Sequence, residues 1–139
     1  MTIMLAEEQR TASKTIAIID DEEDIRRSCA TILARLGHEV VLSAEDPNTL
    51  LTAIKTKQET NIATTKVAQC DLILMDYHFA GKKTNGLEAA KEIKRLWPRT
   101  ETVIISGDDG IRDSVVEAGF QFVPKPFSTS VLSAILRKI

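Results

Sequence analysis

Five side chains capable of chemistry stand directly after short apolar segments of this 139-residue sequence. They are Asp20, Asp21, Asp76, Ser106 and Lys125. Three carboxylates held close together repel one another unless a divalent cation neutralises them, and Mg²⁺ prefers oxygen ligands of this kind. The five residues therefore predict a Mg²⁺ site flanked by an amine and a hydroxyl, provided that the fold brings them together.

The segments between and before these residues alternate between two patterns. Short, nearly all-apolar runs at 15–19, 39–42, 72–75, 102–105 and 120–123 are typical of strands covered on both faces. After each run, apolar residues recur at three- and four-residue steps, which predicts amphipathic helices over 24–36, from Pro47 onward, over 86–97, over 111–118 and around 132–139. Residues 55–66 are polar and weakly periodic, so we expect a frayed helix end followed by a loop.

Five such strand–helix units predict an α/β fold, a doubly wound five-stranded parallel sheet with helices on both faces. In that architecture, ligands bind beyond the carboxyl ends of the strands. All five chemical residues fall at those ends, so we expect them to meet on one rim of the sheet.

Composition narrows the class of protein. The length suits one domain, and a formal net charge of -2 shows no basic bias toward nucleic acid. Cys29 and Cys70 lack metal-ligand spacing and are expected to be buried thiols in a reducing compartment. The first residues resemble neither a signal peptide nor a membrane span. We therefore expect a cytoplasmic domain over residues 14–139 behind a flexible extension over residues 1–13, without direct nucleic-acid binding or membrane insertion.

The ordered set of acids, hydroxyl and Lys125-Pro126 at the predicted strand ends resembles the receiver domain of two-component response regulators, over roughly residues 14–139. The resemblance implies the flavodoxin-like receiver fold and a phosphoprotein of signal transduction. It implies that the domain is not an enzyme in the usual sense, because it catalyses only its own phosphoryl transfer and dephosphorylation.

By this resemblance, Asp76 is the phosphoacceptor, and its phosphoryl group comes from a sensor histidine kinase or a histidine phosphotransfer protein of a phosphorelay. The Lys125 ammonium and the Ser106 hydroxyl would stabilise the transferring group. The downstream protein target is not indicated.

The resemblance also assigns the cofactor ligands. Asp21 and Asp76 would bind Mg²⁺ directly, Asp20 would act partly through metal-bound water, and His78 would contribute its backbone carbonyl.

A switch is implied as well. Ser106 would be drawn toward the phosphate, and Phe122 would turn inward as Ser106 moves, which changes the surface formed by the fourth helix, fifth strand and fifth helix. The Lys125–Pro126 peptide is expected to be cis. His78 and Asp108 occupy positions that tune the lifetime of the acyl phosphate in the family.

Several features depart from the family. The 77–86 loop is longer than usual and lacks the customary proline after the phosphoacceptor. The segment between residues 46 and 71 is extended, and the segment from 108 to 119 is short, which implies a clipped fourth helix. The usual output face is therefore altered.

Simpler interpretations compete with each assignment. Asp20 and Asp21 could be a solvated cap of the first helix, Phe122 could be plain core, and the His78 ring could be a solvent-facing loop side chain. At the level of function, the alternative is a degenerate receiver that acts as a phosphate-independent interaction module. A flavin or nucleotide-binding protein of the same fold would need a glycine-rich phosphate loop after the first strand, which the sequence lacks.

Overall fold

A parallel sheet of five strands forms the centre of the computed structural model, which describes residues 12–60, 70–81 and 84–139. The strands lie in the order β2-β1-β3-β4-β5, and every neighbouring pair is parallel. Their bounds are Thr15–Ile19 for β1, Glu39–Ala44 for β2, Leu72–Asp76 for β3, Glu101–Ser106 for β4 and Gln121–Pro124 for β5.

Helices follow the strands in alternation. They are α1 (Glu23–Arg35), α2 (Pro47–Thr60), α3 (Gly86–Leu96), α4 (Arg112–Glu117) and α5 (Thr129–Arg137), with a 3₁₀ turn at Asp109–Ile111 directly before α4. The predicted α/β fold class and the order of elements are confirmed. The fourth helix has only six residues, as the short 108–119 segment indicates.

Two hydrophobic clusters cover the two faces of the sheet. Cys29, Leu33, Leu132 and Ile135 of α1 and α5 pack on one face. The other face is covered by α2, α3 and α4, through residues such as Leu50, Ile54, Ile93 and Val115. Every residue of β3 is buried, with Leu72 and Leu74 facing the first cluster and Ile73 and Met75 facing the second. Burial on both faces explains why the strands are continuous apolar runs.

Short side-chain contacts set several helix ends. The Asn85 side chain caps α3 by accepting a hydrogen bond from the Glu88 backbone N–H at 2.9 Å. The Ser128 side chain caps α5 in the same way, accepting from the Val131 N–H. Gly37, with φ at 90°, follows α1 in the left-handed conformation that commonly ends a helix.

Some expectations fall wholly or partly outside the described residues. The extension predicted over residues 1–13 lies outside them except at residues 12 and 13. The frayed helix end and loop predicted over residues 55–66 lie outside them from residue 61 onward. In the described ranges, no helix has the length and apolar character needed to cross a bilayer. Cys29 and Cys70 are free and buried, and burial raises the pKa of the two thiols to about 11 and about 12.

Candidate functional site

Three carboxylates meet where β1 and β3 end. The two strands are adjacent and parallel, so their carboxyl ends share one rim of the sheet. Asp20 and Asp21 follow β1, and Asp76 is the last residue of β3. Within the described ranges, one oxygen from each of the three lies within 4.8 Å of the others. This set of hard oxygen donors fits a divalent cation such as Mg²⁺.

Asp76, like Asp20, is buried at this rim. Its side chain is 7% exposed, and Oδ1 accepts a hydrogen bond from the Tyr77 backbone N–H at 2.9 Å. Burial, followed by the negative charge of Asp20, raises the pKa of Asp76 to about 6, against a smaller opposing effect of Lys125. The carboxyl is therefore mostly ionised at neutral pH and could act as a nucleophile.

Lys125 places an ammonium group between the acids. Its Nζ atom lies 3.0 Å from Oδ2 of Asp20 and 3.3 Å from Oδ1 of Asp76. Burial by itself lowers the pKa of Lys125, but the hydrogen bond to Asp20 and the charge of Asp76 outweigh it, so the pKa is raised. The Lys125 backbone N–H donates to the Ser106 carbonyl at 2.9 Å, and the Lys125–Pro126 peptide is cis as expected.

Asp20 and Asp21 have different surroundings. Asp20 is buried, with Oδ1 accepting from the Glu22 backbone N–H at 2.8 Å and Oδ2 facing Lys125. Asp21 is exposed, and its Oδ2 accepts from the Ala80 N–H at 3.3 Å. The residue at the N-cap of α1 is Glu22, which makes no side-chain capping bond. A solvated helix cap therefore does not describe Asp20.

Ser106 joins the same rim from the end of β4. The residue is buried, and its Oγ atom accepts a hydrogen bond from the Asp108 backbone N–H at 3.0 Å. Asp21, Asp76, Ser106 and Lys125 all line one open cavity of about 750 Å³. The structure thus brings together the residues that the sequence placed at the strand ends.

A pair of exposed side chains forms part of the lining of this cavity. Nε2 of His78 lies 3.4 Å from Oδ2 of Asp108, and each residue lines the cavity. The other carboxylate oxygen of Asp108 accepts from the Gly110 N–H at 2.9 Å. The pair links the loop after β3 to the loop after β4. The His78 ring is largely exposed, as in the simpler interpretation of this residue.

Gly86, which the sequence did not single out as functional, is closely packed against the backbone of Asp76. A Cβ atom there would collide with the backbone carbonyl oxygen of Asp76. The Gly86 N–H also donates to the Tyr77 carbonyl at 2.8 Å. Only a residue without a side chain allows the start of α3 to lie this close to the end of β3.

Phe122 is buried in the core cluster on the α4 face, 8% exposed. The Arg112 guanidinium lies over its ring, with Cζ 4.7 Å from the ring centroid. Sequence reasoning missed Arg112, because an arginine at the start of a short helix carries no signal of what lies beneath it. The ring is thus packed inward against the core.

Comparisons with known proteins point to one family. Residues 16–137 match the model of the response regulator receiver domain. The nitrogen assimilation regulatory protein NtrX of Azorhizobium caulinodans is 30% identical over an alignment of 126 residues that covers 88% of this chain and 25% of that protein.

Solved structures agree with this match. NtrX from Brucella abortus, crystallised in complex with ATP, is similar with a TM-score of 0.71 and 29% identity, over 91% of this chain and 27% of that chain. The beryllofluoride-activated DrrB receiver domain has a TM-score of 0.65 and 22% identity over 91% of this chain and 97% of that one, which shows the shared fold alone. The chain spans about a quarter of the length of the NtrX proteins that it matches.

Proposed function

Because the chain belongs to the response regulator receiver domain family, we propose that it accepts a phosphoryl group on Asp76 from a sensor histidine kinase or a histidine phosphotransfer protein. It is a signalling domain, and the only reactions proposed for it are its own phosphoryl transfer and dephosphorylation. It would act in the cytoplasm, where ATP-dependent kinases supply phosphohistidine.

One observation carries this proposal: a poorly solvated but ionisable Asp76 carboxylate lies beside the Lys125 ammonium, at 3.3 Å, in an open cavity. In the transfer, a carboxylate oxygen of Asp76 attacks phosphorus. The new O–P bond forms while the N–P bond to the donor histidine breaks, and the freed imidazole nitrogen keeps the electron pair. Lys125 offers positive charge to the phosphoryl oxygens as they move.

The proposed cofactor is Mg²⁺, held by the carboxylates of Asp20, Asp21 and Asp76 and by the backbone carbonyl of His78. The fit rests on the three carboxylate oxygens that lie within 4.8 Å of one another. When bound, Mg²⁺ supplies positive charge that offsets both the acids and the incoming phosphoryl group. Asp21, the exposed member of the set, leaves the site open to solvent.

The proposed signal is a rearrangement around Ser106. An aspartyl phosphate adds roughly -1.5 to -2 charges and strong acceptor oxygens. The Ser106 hydroxyl, whose oxygen now accepts from the Asp108 N–H, is free to donate its proton toward the phosphate. Phe122 lies on β5, next to the strand β4 that ends in Ser106, and the packing of its ring would change as Ser106 moves. The surface of α4, β5 and α5 would then bind a downstream protein differently.

Intact-mass measurement with phosphoramidate, with and without Mg²⁺, tests this proposal. We expect the native chain to gain one phosphoryl group in a Mg²⁺-dependent way and Asp76→Asn to gain none. Asp113→Asn, which removes an exposed carboxylate of α4, is the matched control and should behave like the native chain. A native chain that gains no mass would instead favour a phosphate-independent interaction module.

A further inference from the structure

The contact between Arg112 and Phe122 covers the one aromatic ring assigned to the proposed switch. The guanidinium carbon lies 4.7 Å from the ring centroid, which is within the range of an attractive cation–π contact. About half of the Arg112 side chain remains exposed, while the ring beneath it is 8% exposed. Arg112 therefore lies between the ring and solvent.

The guanidinium is itself tethered. Nη2 of Arg112 lies 3.2 Å from Oδ1 of Asp109, which belongs to the 3₁₀ turn. The preceding residue, Asp108, donates its backbone N–H to Ser106 Oγ. The five-residue segment 108–112 thus contacts the hydroxyl of the proposed switch at one end and the aromatic ring at the other.

Strand register places Ser106 and Phe122 on one face of the sheet. Phe122 pairs with Ile104, and both belong to the core cluster on the α4 face. Ser106 lies two residues after Ile104 on the same strand, so it occupies a position on that same face. The ring therefore lies next to the region that Ser106 would vacate.

From these contacts, we propose that Arg112 is a positioning residue that holds the Phe122 ring in its buried rotamer. The inference rests on the proposed function, in which phosphorylation favours the inward ring. Under that function, Arg112 biases the unmodified domain toward the phosphorylated arrangement. A ligand that favours one of two states binds more tightly when that state is already stabilised.

The expected size of the effect follows from the strength of such contacts. A partly exposed cation–π contact shifts a two-state equilibrium by about two- to fivefold. The affinity for a phosphoryl mimic should change by the same factor because the two equilibria are linked.

Arg112→Gln tests the inference, with two readouts. The first is the exposure of the Phe122 ring in metal-free protein, measured as broadening of its assigned NMR signals by a soluble paramagnetic agent. The second is the affinity for beryllofluoride in saturating Mg²⁺. Arg95→Gln is the matched control: Arg95 also faces an acid three residues earlier, Glu92 at 4.0 Å, and no ring contact of its guanidinium is seen in the described ranges.

We expect Arg112→Gln to expose the ring and to weaken beryllofluoride binding about two- to fivefold. Arg112→Lys should expose the ring less and weaken binding less than Arg112→Gln does, since lysine keeps the charge but stacks less well. Arg95→Gln should change neither the ring exposure nor the affinity. If Arg112→Gln does not fold, Asp109→Asn removes the tether instead and should expose the ring to a smaller extent.

Equal ring exposure in the native chain and in the folded variant would overturn the inference. An exposed ring with unchanged beryllofluoride affinity would overturn the bias toward the phosphorylated arrangement. If the native chain fails to bind beryllofluoride at all, the proposed function fails, whereas ring exposure in the ligand-free protein still decides the role of Arg112.

Discussion

Nζ of Lys125 lies 3.3 Å from Oδ1 of Asp76, so an ammonium group stands beside the proposed phosphoacceptor. The same Nζ lies 3.0 Å from Asp20. Both carboxylates are buried, and acids removed from water are costly to ionise unless a positive charge is near. Lys125 is therefore part of what allows the three-acid rim to exist in the folded domain.

Replacing Lys125 should impair phosphoryl transfer. Lys125→Gln removes the charge that would stabilise the moving phosphoryl oxygens, and we expect the rate with phosphoramidate to fall about a hundredfold. The pKa of Asp76 should also rise further, because Lys125 lowers it in the native chain. Intact mass followed over time measures the rate. Lys91→Gln, on the exposed side of α3, is the control, and a rate within about twofold of native for Lys125→Gln would contradict the assigned role.

The raised pKa of Asp76 should make metal-free stability depend on pH. A carboxyl whose pKa is about 6 in the folded state and 3.8 otherwise binds its proton more tightly when folded. Its contribution to stability is thus present at low pH and is lost as pH rises from about 4 to about 6. Asp76→Asn should raise the free energy of unfolding by about 1 to 2 kcal/mol at neutral pH, and by less near pH 4. Urea denaturation in a chelating buffer measures both values, and an equal effect at the two pH values would contradict the prediction.

Gly86→Ala should destabilise the domain, because the added Cβ would collide with the Asp76 carbonyl oxygen. We expect a loss of about 1 to 3 kcal/mol, typical of overpacking at a site with no room. Gly107→Ala is the matched control, since a Cβ there meets no atom within 4 Å. Chemical denaturation of both variants decides the matter, and equal stability of the two would show that α3 can shift away from β3.

Thr102 and Thr100 offer a paired test of buried hydroxyls. Among the residues that the structure describes, Thr102 Oγ1 is buried with no hydrogen-bond partner, whereas Thr100 Oγ1 donates to the Cys70 carbonyl at 2.7 Å. Thr102→Val should raise the free energy of unfolding by about 1 kcal/mol, and Thr100→Val should lower it by a similar amount. Thermal or urea unfolding measures both. A destabilised Thr102→Val variant would indicate that its hydroxyl has a partner such as an ordered water.

His78→Ala should shorten the life of the aspartyl phosphate. The His78–Asp108 pair, with its atoms 3.4 Å apart, lines the open cavity that contains Asp76, and losing it would give water wider access to Asp76. An exposed pair of this kind is weak, so we expect dephosphorylation to become about two- to fivefold faster. The decay of phosphorylated protein after removal of the donor measures this, and an unchanged rate would remove the idea.

The sequence predicted the strands well because β1 and β3 are buried on both faces, which makes each a short, continuous apolar run. The ends of the helices were harder to predict from the sequence. The apolar stripe of α5 suggested a start near residue 132, but the Ser128 cap starts the helix at Thr129. β2 runs on to Ala44 because its register with β1 shifts between Ile16 and Ala17, which no pattern in the sequence reports.

The acids, the hydroxyl and the lysine could be placed from sequence because strand ends in a parallel sheet share one rim. Contacts made by loops could not be predicted from the sequence. Whether His78 meets Asp108, whether Gly86 lies against Asp76 and whether Arg112 covers Phe122 all depend on backbone paths that residue types do not determine. The rotamer of Phe122 could not be predicted either, since both orientations of the ring are compatible with the sequence.

The strand order has a consequence for synthesis. Lys125 follows β5 at one edge of the sheet, yet its ammonium group reaches Asp20 beyond β1, across two intervening strands. A ribosome-bound chain that has not yet released β5 carries every acid of the rim but lacks the ammonium group that balances them. The rim is therefore complete only after the fifth strand has joined the sheet.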